Sequence, residues 1–191
     1  EVVGAEVYRS DDQRMTWQRT HDDYLNGVFY SYGYYFAQIR VDRNDPNKIY
    51  IAGVPLLKSE DGGAHFESIS RENVHADHHA IVFRPGSTTE AVIGHDGGID
   101  YTADITAGDL STTFPTFVTK DESYNVTQFY SVAQNPNIGS TVVFGGTQDN
   151  GTVRTFQRRC TEDWDEILGG DGGYVAVNPL DNDEIFATTQ G

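Results

Sequence analysis

Cysteine is almost missing from this sequence. Cys160 is the only one in 191 residues, so no internal disulfide can form, and neither a dithiol redox pair nor a cysteine-based zinc knuckle can be assembled. Lysine is scarce as well: Lys48, Lys58 and Lys120 are the only three, and 13 Lys and Arg face 29 Asp and Glu, a formal charge of −16. A surface this acidic repels phosphate backbones and anionic lipid, which excludes nucleic acid and membrane surfaces as expected partners. It fits a protein kept soluble in high salt, a reading that a stability indifferent to added salt would overturn. Long apolar runs are lacking too. Ile49 to Leu57 is broken by Gly53 and Pro55, far below the roughly 20 residues of a membrane helix, so no membrane insertion is expected. What remains is a chain with 11 Tyr, 10 Phe, 2 Trp, 20 Gly and a single Met, a balance that favours strands and tight turns over helices.

The chain repeats itself. Four units each carry a strand-like run, a turn marked by Asn, Asp or Pro, and a β-branched return that ends at small residues. Ala37 to Val41 pairs with Ile49 to Gly53, Ala80 to Phe83 with Ala91 to Gly94, Ser131 to Gln134 with Thr141 to Gly145, and Tyr174 to Val177 with Glu184 to Thr188. The equivalent points Gly53, Gly94, Gly145 and Thr188 are separated in turn by 41, 51 and 43 residues. Repeats of about 40 to 50 residues with period-2 apolar alternation mark propeller blades.

A second motif sets the phase. Ser59-Glu60-Asp61-Gly62-Gly63-Ala64-His65-Phe66 resembles the Asp-box, Ser-x-Asp-x-Gly-x-Thr-Trp, of the hairpin between the third and fourth strands of sialidase, sortilin and xyloglucanase-type blades. Ser10-Asp11-Asp12-Gln13-Arg14-Met15-Thr16-Trp17 is a degenerate copy with Arg14 where glycine belongs. The expected fold is therefore all-β: a β-propeller of four-stranded antiparallel blades, here a partial arc of about four. Residues 1–30 would end one blade, 31–72, 73–122 and 123–168 would each form a blade, and 169–191 would start another. A blade buries both faces only between neighbours, so the remaining blades are expected on another segment.

From about Tyr32 onward the chain is similar to a group of secreted bacterial Asp-box (BNR-repeat) proteins of sortilin-like and xyloglucanase-like, glycosyl-hydrolase type. The similarity rests on residues 73–80 (NVHADHHA), 94–98 (GHDGG), 125–130 (NVTQFY), 145–152 (GGTQDNGT) and 169–173 (GGDGG). It implies a propeller fold and a secreted or cell-surface location, and names no substrate.

Aligning the inner strands on their turns puts Tyr35, Asp77, Gln128 and Asp171 at equivalent positions, each three residues before Gln38, Ala80, Ser131 and Tyr174. They are expected to ring the mouth of the central channel, where loops from every blade converge on a rigid scaffold. The second-strand exits add His95, Asp96, Gln148, Asp149 and Asn150. Asp77 and Asp171 are the candidate catalytic pair, because glycoside hydrolysis needs two facing carboxylates. The competing reading, which Asp beside Gly favours, is that both are turn-forming residues that satisfy backbone amides.

His75, Asp77 and His79, spaced by two, would share one face of an extended strand and could offer a transition metal two or three ligands; the alternative is a hydrogen-bonded channel lining. Asp-Gly-Gly and Asp-Asn-Gly turns leave calcium open without the spaced acidic loop of an EF-hand. Sialidase chemistry is not expected, since Arg84 falls in a hairpin turn away from the mouth. The sequons at Asn125 and Asn150 read as chance matches.

Two functions stay open. The chain could be a non-catalytic module presenting the mouth or rim, with Tyr35, His79, His95, Asp96, Gln128, Gln148 and Asp149 as ligand contacts, to a polysaccharide or an extracellular protein. Tyr30, Tyr32, Tyr34 and Tyr35 would suit sugar stacking. It could instead be a xyloglucanase-like glycoside hydrolase using Asp77 and Asp171.

Overall fold

A computed structural model describes residues 4–30, 35, 37–71, 73–107, 113–121, 126–137, 139–155 and 164–190. Tyr32, Tyr34, Asn125 and Cys160, named above, lie outside them. The described residues contain strands and turns but no α-helix. Two compact units divide the chain, Glu1–Glu122 and Ser123–Gly191.

The first unit holds a two-stranded sheet, β1 (Tyr8–Arg9) with β2 (Gln18–Arg19), and two four-stranded antiparallel meanders. These are β3 (Gln38–Val41), β4 (Ile49–Ala52), β5 (Leu56–Ser59) and β6 (Glu67–Ser68), then β7 (His78–Phe83), β8 (Ala91–His95), β9 (Gly98–Thr102) and β10 (Val118–Thr119). The second unit holds the meander β11 (Phe129–Gln134), β12 (Val143–Thr147), β13 (Thr152–Thr155) and β14 (Trp164–Leu168), and the pair β15 (Asp171–Val177) and β16 (Ile185–Gln190). Every meander follows chain order across its sheet. These are propeller blades, and the fold is a partial β-propeller of about four: the described residues form three complete blades and two two-stranded sheets.

The four expected hairpins all form, closing on Val41↔Ile49, Phe83↔Ala91, Gln134↔Val143 and Val177↔Ile185. Short polar side chains hold each turn by accepting amides ahead of them. Asp42 Oδ1 accepts from Asn44 and Asp45, Ser87 Oγ from Thr89 and Glu90, Asn135 Oδ1 from Asn137, and Asn178 Oδ1 from Leu180. That local chemistry makes these stretches turn rather than extend.

Burial explains why the blades need each other. Every residue of β4 and β5 is buried. Tyr50, Ala52 and Leu56 pack with Ile81, Ala91, Ile93 and Ile105 of the following blade, while Ile51 and Leu57 pack with Ala5, Val7 and Val28 of the preceding segment. Alternating side chains thus feed two cores, as the pleat requires.

The two Ser-x-Asp loops have the same hydrogen bonds. Ser59 Oγ donates to Asp61 Oδ1 and accepts from Gly63 N, and Asp61 accepts from His65 N at 2.9 Å. Ser10 Oγ likewise donates to Asp12 and accepts from Arg14 N, and Asp12 accepts from Thr16 N at 2.9 Å. His65 Nδ1 donates to Asp61 Oδ2 at 2.6 Å, where Thr16 Oγ1 donates to Asp12 at 2.6 Å, so the imidazole replaces the hydroxyl. Arg14 adopts φ +77° where Gly63 has φ +94°. The degenerate loop therefore keeps the geometry and carries the steric cost of a side chain in the left-handed region. Hydrogen bonds hold both carboxyls well below the usual range, Asp12 and Asp61 each at about 2.

Candidate functional site

The leading ends of the inner strands gather most of the sequence-selected residues, and a β-bulge shapes three of these ends, those of β7, β11 and β15. Register shifts fall between His78 and Ala80 on β7, between Phe129 and Ser131 on β11, and between Gly172 and Val175 on β15. A bulge re-aims the side chain of its extra residue. The re-aimed residues include His79 and Tyr130.

In the first unit the chain reaches β7 through Asp77, whose φ is +63°. Asp77 N donates to Val54 O at 3.0 Å and His78 N to Gly53 O at 2.8 Å, which ties the start of β7 to the end of the preceding blade's second strand. The expectation of an extended strand from His75 to His79 fails here, because the left-handed Asp77 and the bulge at His79 break the alternation. His79 Nε2 donates to Asp96 Oδ1 at 2.5 Å, and the Tyr35 ring stands edge-on to His79 with centroids 4.8 Å apart. His75 turns elsewhere and stacks on His95 at 5.6 Å, with the planes 15° apart. The two histidines of the expected metal set thus serve different neighbours.

His78 and His95 are interior groups. His78 is fully buried, and its Nδ1 lies 3.1 Å from both Gly53 O and Val54 O, so Nδ1 carries the proton and Nε2 is left without a hydrogen bond. Burial pushes its pKa down to about 4. The His95 side chain is 3% exposed, edge-on to His78 at 6.0 Å, with Nε2 3.3 Å from Asp100 Oδ2. That separation is an ion-pair distance without hydrogen-bond alignment, and neither His95 ring nitrogen has a hydrogen bond. Burial lowers the His95 pKa, opposed by the charge of Asp100. Expected as a ligand contact, His95 is enclosed, because β8 sends this side chain inward beside Asp100 of β9.

The second unit brings Gln128, Gln148, Asp149 and Asp171 together. Asp171 Oδ1 accepts the Asp149 amide at 2.7 Å, and Asp149 adopts φ +59°. Gln148 N donates to Gln128 O at 3.1 Å, and Asn150 Nδ2 to Gln148 O at 3.0 Å. Thr147 closes the loop by donating N–H and Oγ1–H to Gly151 O at 2.9 and 2.6 Å. Glycines make the close approach feasible: a methyl on Gly146 would run into the Gly173 carbonyl, and one on Gly172 into the Gly151 carbonyl. Tyr130, which the sequence reading passed over, is 51% exposed, and desolvation with the charges of Asp171 and Asp149 raises its phenol pKa. Only a bulge, which has no local signature here, turns it this way.

No family model matches the chain, and no curated protein matches it. Solved structures do. YCF48 from Cyanidioschyzon merolae aligns with TM-score 0.45 and 14% identity over 91% of this chain and 57% of its own. An ancestral GH74 enzyme aligns with TM-score 0.38 and 18% identity over 94% of this chain and 24% of its own. The GH74 xyloglucanase from Xanthomonas campestris aligns with TM-score 0.35 and 16% identity over 95% of this chain and 25% of its own. The chain therefore spans between a quarter and three fifths of the length of these structures.

Arg84 lies just past β7, next to the turn residues Pro85 and Gly86, paired with Glu90 at 2.8 Å. Among the described residues no helix is long and apolar enough to cross a membrane.

Proposed function

We propose that this chain is part of a secreted or cell-surface propeller of the Asp-box type that binds a polysaccharide or an extracellular protein through the leading ends of its inner strands. The observation that carries this reading is the 2.7 Å bond from the Asp149 amide to Asp171 Oδ1. It commits one oxygen of a candidate catalytic carboxylate to holding a loop, while the Tyr130 ring beside it stays exposed. Fixed polar groups next to an exposed ring are what sugar or partner recognition uses. The matching hydrogen bonds of the Ser10–Trp17 and Ser59–Phe66 loops support the Asp-box assignment.

The test is binding and turnover on a polysaccharide panel, with Tyr130→Ala, Tyr35→Ala and Asp77→Asn variants. Binding that falls about tenfold or more in a tyrosine variant, without turnover, supports recognition. Turnover abolished by Asp77→Asn would replace this reading with the glycoside hydrolase.

A further inference from the structure

Asn-Gly occurs twice in the sequence, at Asn26-Gly27 and Asn150-Gly151. This dipeptide is chemically special. Glycine lacks a side chain to obstruct its own amide nitrogen, which can reach the carbonyl carbon of the preceding asparagine side chain. The local sequence presents the same reactive pair at both places, and the fold treats them differently.

At the second site both reacting groups are engaged. Gly151 is buried, its N–H donates to Gly170 O at 2.9 Å, and its carbonyl accepts two bonds from Thr147. The Asn150 side-chain amide donates to Gln148 O at 3.0 Å. A methyl on Gly151 would meet the Leu168 carbonyl at 2.5 Å, so the glycine is closely packed as well as hydrogen-bonded. At the first site Asn26 is exposed, and neither its side chain nor the Gly27 N–H makes a hydrogen bond among the described residues. Gly27, at φ +70°, would meet only the Tyr30 ring, at 3.7 Å or beyond.

We propose that Asn26 is a modification site, where the main chain converts asparagine to aspartyl and isoaspartyl residues without an enzyme, and that the fold shields Asn150 from the same reaction. The Gly27 nitrogen bonds to Asn26 Cγ and loses its proton to solvent. The side-chain nitrogen leaves as ammonia, closing a five-membered imide. Water then opens the imide at either carbonyl, giving a carboxylate in each case.

The position gives the reaction a structural consequence. Leu25, just before the site, exchanges two hydrogen bonds with Ala5, at 2.9 and 3.0 Å, and the carbonyl of fully buried Val28, just after it, accepts from Val54 N at 2.7 Å. An isoaspartyl linkage inserts one more main-chain carbon between these two anchors, loosening the tie between the Ala5–Leu25 bridge and the first complete blade.

The experiment holds the purified chain in warm, mildly alkaline buffer and follows both sites by tryptic digestion and mass spectrometry. Cleavage at Arg19, Arg40, Lys120 and Arg154 places Asn26 and Asn150 on separate peptides. The readout is the mass gain of oxygen replacing NH, with the isoaspartyl form separated by chromatography. Asn26 is expected to convert at least about tenfold faster than Asn150 in the folded chain, since a protected amide reacts only through local opening. In urea the two rates are expected to converge. Equal rates in the folded chain, an unconverted Asn26, or an Asn150 that stays slow when unfolded would each overturn the proposal.

Discussion

Gln38 Oε1 accepts the Ile81 amide at 2.9 Å, and Ser131 Oγ accepts the Val175 amide at 3.0 Å. The donors are equivalent positions of two inner strands, β7 and β15, and the acceptors are equivalent positions of β3 and β11. In these two cases a side chain of one blade satisfies an amide that the next blade's inner strand cannot pair; β7 carries Ala80 at the equivalent position and offers no such acceptor. Ser131 Oγ also donates to Gly173 O at 2.9 Å, and Arg40 Nε donates to Ile81 O at 3.1 Å, which completes the junction on both sides.

Replacing the acceptor should therefore weaken the junction beyond the loss of packing. Gln38→Leu and Ser131→Ala are each expected to lower stability by about 1–3 kcal/mol, because an amide between blades loses its partner. Gln38→Glu keeps an acceptor and should cost less. Urea unfolding midpoints decide this, and equal losses for Leu and Glu at position 38 would refute it.

The two Ser-x-Asp loops predict that opposite changes at one motif position have opposite effects on stability. Arg14→Gly removes a side chain from φ +77° and should stabilise by about 0.5–1 kcal/mol, the steric relief exceeding the added unfolded-chain entropy. Gly63→Ala should destabilise by more than that, since its methyl would sit 2.7 Å from Thr20 Oγ1 at φ +94°. Thermal melts of the two variants give the sign directly.

Acid should act on the chain in two steps. His78 ionises near 6.5 when unfolded and at about 4 when folded, so the unfolded state binds the extra proton. Its contribution is complete above pH 6.5 and is lost as pH falls from 6.5 toward 4, amounting to about 3 kcal/mol. His95, shifted the same way, adds to this loss. Asp12 and Asp61 ionise at about 2 when folded against 3.8 when unfolded, so their contribution is present above 3.8 and lost toward 2. Urea midpoints across pH should show the first step shrink in His78→Leu to what His95 contributes, and the second persist.

Lys58 offers a fourth test. Its side chain is 1% exposed, and its ammonium pairs with Glu60 at 2.6 Å and donates to Thr106 O in the neighbouring blade. Glu60→Gln should cost about 1–2 kcal/mol by leaving a buried charge with neutral acceptors alone, whereas Lys58→Met should stay within about 1 kcal/mol of the parent. A Lys58→Met variant much weaker than Glu60→Gln would show that the pair is a net stabiliser.

The repeat, the four hairpins and their turns are legible in residue order alone, because period-2 burial and short-range Asx and Ser capping act within a few residues of chain. Residue order also marked the leading ends of the inner strands as a polar zone. Which side chains face solvent there was decided only by the tertiary structure. Asp77 and Asp149 adopt left-handed conformations, and bulges re-aim His79 and Tyr130, through contacts with neighbouring strands that no local pattern encodes. His95 reads as a mouth residue from its place in the repeat, yet it is buried beside Asp100. The same division separates Asn26 from Asn150: identical dipeptides in the sequence, one open and one held by the Gly170 carbonyl between β14 and β15.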